Sequence, residues 1–209
     1  MRAGRFITLE GGEGAGKSTQ AARLAERLGA RGLEVVRTRE PGGSPGAEEI
    51  RALLVSGAGD RWSATAETLL LYAARSDHLE RLIRPALQRG AWVICDRFAD
   101  STRAYQGAAG GAAPELVGSL EQQVVGADAP HLTLVLDLSP EAGMARVASR
   151  GEAQTRFEAK GLEFHSRLRR GFLDIAAAEP ERCVVVDAAE DPNAVSEAVW
   201  RAVEARLQP

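Results

Sequence analysis

The chain has 209 residues, enough to bury one full hydrophobic core. Hydrophobic residues make up 44% and charged residues 26%, which is typical of a globular protein and argues against disorder or a fibrous repeat. The formal net charge of -3 argues against a surface built to hold nucleic acid, and the apolar runs are too short to span a membrane.

Short β-rich runs alternate with longer helical patterns along the chain. The runs are continuously apolar, as expected for strands covered on both faces. Strands are predicted at residues 5–10, 33–38, 91–96, 132–138 and 182–187. Helices are predicted at about residues 17–31, 46–57, 63–89, 112–126, 140–149, 157–179 and 191–207, with a bend at Pro85. This alternation predicts an α/β fold with a five-stranded parallel sheet flanked by helices, in one domain over residues 1–209.

The residues after the first strand satisfy the P-loop pattern. Its members, the predicted ATP-binding residues, are Gly11, Gly12, Glu13, Gly14, Ala15, Gly16, Lys17, Ser18 and Thr19. Glycines let backbone amides point at phosphate oxygens, and the following helix start adds partial positive charge. Lys17 is expected to reach the β and γ phosphates, and the Ser18 hydroxyl to bind Mg²⁺. The order of strand, loop and helix favours a P-loop NTPase-type three-layer fold over a glycine-rich turn with a surface lysine.

Two common classes of P-loop protein are disfavoured. The Asn-Lys-x-Asp and Asp-x-x-Gly motifs of GTPases do not occur in the chain. A mechanical ATPase has an apolar strand ending in Asp-Glu. In this chain the predicted strand at residues 91–96 ends in Asp96, which is followed by Arg97. Asp96 is expected to hold Mg²⁺ directly or through water, and Arg97 to grip the acceptor phosphate, although an ion pair between them is the alternative. A kinase for a small molecule fits these residues best.

A polar segment, RGEAQTRFE at residues 150–158, joins two predicted helices and contains Arg150 and Arg156. Such a segment can be a plain solvated loop or a lid that closes over a ligand. Beside a phosphate-binding motif we favour the lid.

Five ordered motifs resemble the thymidylate kinase family over essentially the whole chain. They are LEGGEGAGKST at 9–19, TREPGG at 38–43, YAAR at 72–75, DRFADSTRAYQG at 96–107 and the arginine-bearing lid. The resemblance implies transfer of the γ-phosphoryl group of ATP to dTMP with Mg²⁺, by a homodimer. It implies that the catalytic residues are Lys17, Arg97, Arg150 and Arg156.

The resemblance also implies which residues bind the acceptor. Glu13 would face its sugar, Arg75 and Gln106 its pyrimidine, and Tyr105 its deoxyribose, while Leu71 stands where the family commonly has an aromatic residue. The full predicted acceptor set is Glu13, Arg39, Pro41, Arg51, Leu71, Arg75, Arg97, Ser101, Tyr105 and Gln106. Thr155 replaces an aspartate that is common before the second lid arginine.

Alternatives remain at this point. The P-loop identifies only the donor, so a kinase for another nucleoside monophosphate or small acceptor is possible, as is an ATP-binding switch without turnover. Residues 69–72 could pack in the core or against a second subunit. Cys95 and Cys183 lie in short apolar runs, so both are predicted to be buried strand residues in a reducing compartment. The N-terminus shows no signal-peptide core. We therefore expect a cytoplasmic protein without a disulfide or a bound transition metal.

Overall fold

The computed structural model describes residues 4–57, 61–149 and 156–209. Within these ranges, the strands form one parallel sheet in the order β2-β3-β1-β4-β5. The strands are β1 (Arg5–Glu10), β2 (Val35–Arg39), β3 (Trp92–Asp96), β4 (Leu132–Asp137) and β5 (Cys183–Asp187). The predicted five-stranded parallel sheet is confirmed.

The helices pack on both faces of this sheet. They are α1 (Lys17–Gly29), α2 (Pro45–Val55), α3 (Ala64–His78), α4 (Arg84–Gln88), α5 (Ala99–Thr102), α6 (Pro114–Val124), α7 (Pro140–Ala148), α8 (Leu162–Ala178) and α9 (Pro192–Leu207). The segments Leu79–Ile83 and Arg103–Ala108 are π-helical, and Gly126–Asp128 is a 3₁₀ turn. None of the helices in the described ranges is both long and apolar enough to cross a membrane.

The helix predicted over residues 63–89 is confirmed as a continuous helical stretch, in which the π-helical turn Leu79–Ile83 joins α3 to α4 two residues before Pro85. Because Pro85 has no N–H and its ring crowds the preceding turn, a wider turn accommodates it. Residues 99–108, where no helix was predicted, are helical, and the helix predicted from residue 157 starts at Leu162.

Alternating side chains of the buried strands face two apolar layers. Ile7 and Leu9 pack in a cluster with residues of α1 and α9, whereas Phe6 packs with Leu79 and Ile83 on the opposite face. A third cluster forms where α8 covers β4. Helices therefore shield both faces of the sheet, which confirms the three-layer α/β architecture.

The strand register places three chain segments at one edge of the sheet. Leu9 of β1 and Arg39 of β2 both lie opposite Asp96 of β3. The loops that leave these parallel strands consequently emerge side by side at their carboxyl ends, which is where open α/β sheets bind ligands.

Candidate active site

The P-loop forms a tight cradle between β1 and α1. Gly14 has a φ of 71°, and a Cβ there would lie 2.3 Å from the Gly143 carbonyl oxygen, so only glycine fits. The cradle opens into a pocket of about 150 Å³. This pocket is lined by Glu13, Gly14, Gly16, Lys17, Ser18, Thr19, Asp96 and Arg97.

Lys17 begins α1 and is buried in the cradle. Its Nζ donates to the carbonyl oxygens of Gly11 at 3.2 Å and Gly12 at 2.7 Å. Burial, followed by the positive charge of Arg97, lowers the pKa of Lys17 to about 8. Phosphate oxygens in the cradle would favour its charged form.

The two predicted metal ligands lie together at the mouth of the cradle. The Ser18 Oγ donates to Asp96 Oδ2 at 2.5 Å. A hydroxyl and a carboxylate beside a phosphate site are the hard oxygen donors that suit Mg²⁺, which binds through one or two carboxylates and keeps several waters. The residues present therefore fit the predicted ion.

Arg97 lies between the cradle and a second pocket. Its backbone is left-handed, with a φ of 70°, and its Nη1 donates to the Gly11 carbonyl oxygen at 3.0 Å. Its Nη2 donates to Glu13 Oε1 at 3.1 Å, and the guanidinium lies 4.9 Å from the centre of the Tyr105 ring. These contacts fix a permanent positive charge between the two pockets.

Glu13 is held as a carboxylate inside the P-loop. The Tyr105 hydroxyl donates to its Oε1 at 2.7 Å. Burial acts to raise the pKa of Glu13, but the charges of Arg97 and Lys17 and the Tyr105 hydrogen bond lower it to about 2. Its charge is thus already balanced before a phosphate enters the cradle.

The second pocket, of about 180 Å³, lies between the carboxyl ends of β2 and β3 on one side and Phe157 and Glu158 on the other. All predicted acceptor-binding residues except Arg39 line it. Among the described residues, its lining consists of Glu13, Glu40, Pro41, Arg51, Leu54, Val55, Leu71, Arg75, Arg97, Phe98, Ser101, Thr102, Tyr105, Gln106, Phe157 and Glu158. We call it the acceptor pocket.

Arg39 is not brought to this pocket. Its guanidinium forms an exposed ion pair with Glu48 at 3.1 Å. Arg51 does line the pocket, and its Nη1 donates to the Pro41 carbonyl oxygen at 2.7 Å. Arg51 therefore braces the turn after β2, and Glu40, the neighbour of Arg39, faces the pocket instead.

The lid arginines are only partly described. Arg150 and Thr155 lie outside the described residues. Arg156 is buried, and two of its hydrogen bonds go to Glu67 Oε2 at 2.6 Å and the Leu54 carbonyl oxygen at 2.9 Å. Glu67 Oε1 in turn accepts from Gln106 Nε2 at 2.8 Å. Arg156 is therefore held behind the acceptor pocket, where Glu67 links it to Gln106 in the pocket lining.

A family model described as thymidylate kinase matches residues 9–199. The chain belongs to the thymidylate kinase family. It is 61% identical to the thymidylate kinase of Caulobacter vibrioides, with 99% of each chain covered, and 55% identical to that of Nitrobacter hamburgensis, covering 98% of this chain and 90% of the relative. The crystal structure of the Ehrlichia chaffeensis thymidylate kinase matches with a TM-score of 0.76 at 34% identity, over 96% of this chain and 99% of that one. The resemblance inferred from the motifs is confirmed.

The family motifs also carry polar residues that the sequence reasoning missed. Glu10, the last residue of β1, is fully buried and accepts from the Phe98 N–H at 2.7 Å and the Ser101 hydroxyl at 2.6 Å. Burial, followed by the charge of Asp100, raises the pKa of Glu10 to about 7. Glu10 thus fixes the turn that carries Arg97. The sequence signal that could have identified Glu10 is the presence of a charged residue at the end of an apolar strand.

Proposed function

We propose that this thymidylate kinase family member transfers the γ-phosphoryl group of ATP to dTMP, giving dTDP and ADP. One geometric observation carries the proposal: the phosphate cradle and the acceptor pocket share Glu13 and Arg97 in their walls. A phosphoryl group held by the P-loop therefore lies next to the molecule that fills the acceptor pocket. Such adjacency is required for direct transfer between two bound substrates.

In the proposed reaction, an oxygen of the acceptor phosphate bonds to the γ-phosphorus as the bond to the β–γ bridging oxygen breaks, and that oxygen leaves on ADP. The attacking oxygen is already ionised near neutral pH, so no strong protein base is needed. Catalysis then depends on position and on charge. Lys17 and Arg97 supply positive charge on the donor side and at the boundary between the pockets.

We propose that Ser18 and Asp96 hold Mg²⁺ on the donor side. When bound, the ion would neutralise charge on the β and γ phosphates. The proposal is supported by the direct contact of the hydroxyl and the carboxylate beside the P-loop.

The acceptor base is proposed to lie against Arg75, Gln106 and Leu71. Arg75 Nη1 is a buried donor without a hydrogen-bond partner in the described parts of the chain, which suits a carbonyl oxygen such as that of thymine. Leu71 supplies an apolar wall in place of a stacked ring. Glu13 and Tyr105, at the boundary with the cradle, are placed for the sugar.

For the lid, we propose that Arg156 and Arg150 join the charge around the transferring group when both substrates are bound. The proposal for Arg156 is supported by the next residues, Phe157 and Glu158, which line the acceptor pocket, and by its link through Glu67 to Gln106. For Arg150 it rests on the motif alone.

The deciding experiment is a coupled assay of ATP consumption with a panel of acceptors. The main proposal expects turnover that depends on acceptor and is fastest with dTMP. Turnover that is fastest with another monophosphate would favour a kinase of different specificity. Tight ATP binding with no acceptor-dependent turnover would favour a nucleotide-binding switch.

We also propose a homodimer. Among residues 69–72, Tyr72 belongs to the core and Leu71 to the acceptor pocket, but Leu69 of α3 is 47% exposed. Leu53, on the neighbouring α2, is 41% exposed. Burying such side chains against a second copy would be favourable. Light scattering after size exclusion tests this, with Leu69→Glu expected to shift the protein towards monomer.

We propose that the protein is located in the cytoplasm. We also propose that it binds small molecules and not nucleic acid. Cys95 and Cys183 are both free and buried, as is usual in a reducing compartment. Fractionation of cells that express a tagged chain would test the location.

A further inference from the structure

The guanidinium of Arg75 is fixed at all but one of its nitrogens. Its Nε donates to Glu40 Oε2 at 2.8 Å, and its Nη2 donates to the Phe98 carbonyl oxygen at 3.1 Å and to Thr102 Oγ1 at 2.9 Å. Nη1 is the remaining nitrogen, buried and without a hydrogen-bond partner among the described residues. Because the guanidinium is planar, these contacts decide which nitrogen is left for a ligand.

The contact to Glu40 continues into a buried chain of polar groups. Glu40 Oε1 lies 3.0 Å from His78 Nδ1, and His78 Nε2 lies 2.8 Å from Thr38 Oγ1. Arg75, Glu40 and His78 are each at most 5% exposed. Thr38 and Glu40 belong to the TREPGG motif, whereas Arg75 and His78 lie one turn apart on α3.

The donors and acceptors of the hydrogen bonds at Glu40 follow from the chemistry of its neighbours. An ionised carboxylate between a guanidinium and an imidazole can only accept, so Nδ1 of His78 carries the proton and donates to Glu40. His78 then prevents Glu40 from turning away from Arg75. The absence of a side chain at Gly43 leaves room for the contact between His78 and Thr38, because a Cβ there would lie 2.4 Å from both His78 Nε2 and Thr38 Oγ1.

We propose that Glu40 and His78 are positioning residues that determine pyrimidine specificity by presenting Nη1 of Arg75 to the acceptor base. This inference rests on the proposed function. The substrate class that follows is a pyrimidine with a carbonyl oxygen opposite Nη1, as in thymine and uracil. Cytosine places an amino donor there, so the fixed Nη1 donor is left unpaired and the base is rejected.

Two substitutions of His78 separate this role from simple packing. The amide nitrogen of His78→Asn can stand in for Nδ1 and keep the bond to Glu40. The amide nitrogen of His78→Gln can stand in for Nε2 and keep the contact with Thr38, but it leaves Glu40 unsupported. The ratio of kcat/KM for dTMP to that for dCMP should stay near the wild-type value in His78→Asn. In His78→Gln it should fall, by up to about 100-fold for a displacement on the order of 1 Å.

Glu40→Leu gives an independent route to the same result. Its side chain has no atom that can accept from Arg75 Nε or His78 Nδ1, so the guanidinium is no longer fixed on that side. The ratio should therefore fall in this variant too. Thr38→Val is the matched control, because it removes only the outermost contact and should change the ratio less than His78→Gln does.

The wild-type acceptor panel is measured first, so that the two proposals can fail separately. If the wild-type protein does not prefer dTMP, the proposed function fails. If it does, equal ratios in His78→Asn and His78→Gln overturn the positioning role, as does an unchanged ratio in folded Glu40→Leu. Thermal unfolding of each variant identifies the folded proteins, and a loss of stability without a change in the ratio also counts against the proposal.

Discussion

Glu10 should make the folded protein less stable as the pH rises. Burial, followed by the charge of Asp100, raises its pKa from 4.5 to about 7 in the folded protein. Below about pH 4.5 the group is protonated in both the folded and the unfolded states; as the pH rises towards 7, the unfolded chain loses this proton more readily. The free energy of unfolding therefore falls over this range. The difference between the two pKa values corresponds to about 3 kcal/mol.

Glu10→Gln removes the titrating group while keeping its size. The amide oxygen can accept from the Phe98 N–H while the NH₂ group donates to the Ser101 hydroxyl oxygen, and the glutamine side chain cannot lose a proton. Urea unfolding followed by circular dichroism at several pH values compares the two proteins. Relative to wild type, the variant should gain about 3 kcal/mol as the pH rises from about 4.5 to beyond 7. Parallel pH curves for wild type and variant would refute the reasoning, and Glu190→Gln, at an exposed position, provides the matched control.

Four further expectations concern catalysis. Lys17→Ala should fold normally but lose several orders of magnitude in kcat, because its charge acts mainly on the transition state; near-normal turnover would contradict the P-loop assignment. Asp96→Asn should lose activity that raised Mg²⁺ partly restores, whereas an unchanged dependence on Mg²⁺ would remove its metal role. Arg150→Ala and Arg156→Ala should each lower kcat more than they weaken acceptor binding, and a loss confined to affinity would favour a substrate-binding loop over a catalytic lid. In kcat/KM measurements, dUMP should be poorer than dTMP by about 10- to 200-fold, the value of one buried methyl, and dCMP poorer still. Equal or better use of dCMP would overturn the proposed acceptor.

The sheet was predictable because its signal is local. The first strand was predicted at the residues where β1 lies, Arg5–Glu10, because a short apolar run followed by a glycine-rich loop is typical of a buried parallel strand. The helix over residues 99–108 gave no such signal, because its serine, threonine and glycine residues are weak helix formers. It is held in place by tertiary contacts, in which Asp100 accepts from Arg182 at 2.7 and 2.8 Å across 82 residues of sequence.

Most of the residues that the motifs predict for acceptor binding line a single pocket. The case of Arg39 shows the limit of this reasoning. Successive side chains of an extended chain point to opposite sides, so when Arg39 faces outward to Glu48, its neighbour Glu40 faces inward. The role of Glu40 depends on Arg75 and His78, which lie 35 and 38 residues away in sequence. No local pattern specifies such a pairing.

The left-handed backbone of Arg97 has a consequence for engineering more stable variants. Holding a non-glycine residue in this conformation costs on the order of 1 to 3 kcal/mol. Glycine at this position would relieve that strain, but it would also remove a side chain that contacts Gly11, Glu13 and Tyr105 together. Because Arg97→Gly leaves the Glu13 carboxylate without its guanidinium partner, relief of the backbone strain does not by itself make the substitution stabilising. A search for heat-resistant variants should therefore leave this left-handed position unchanged.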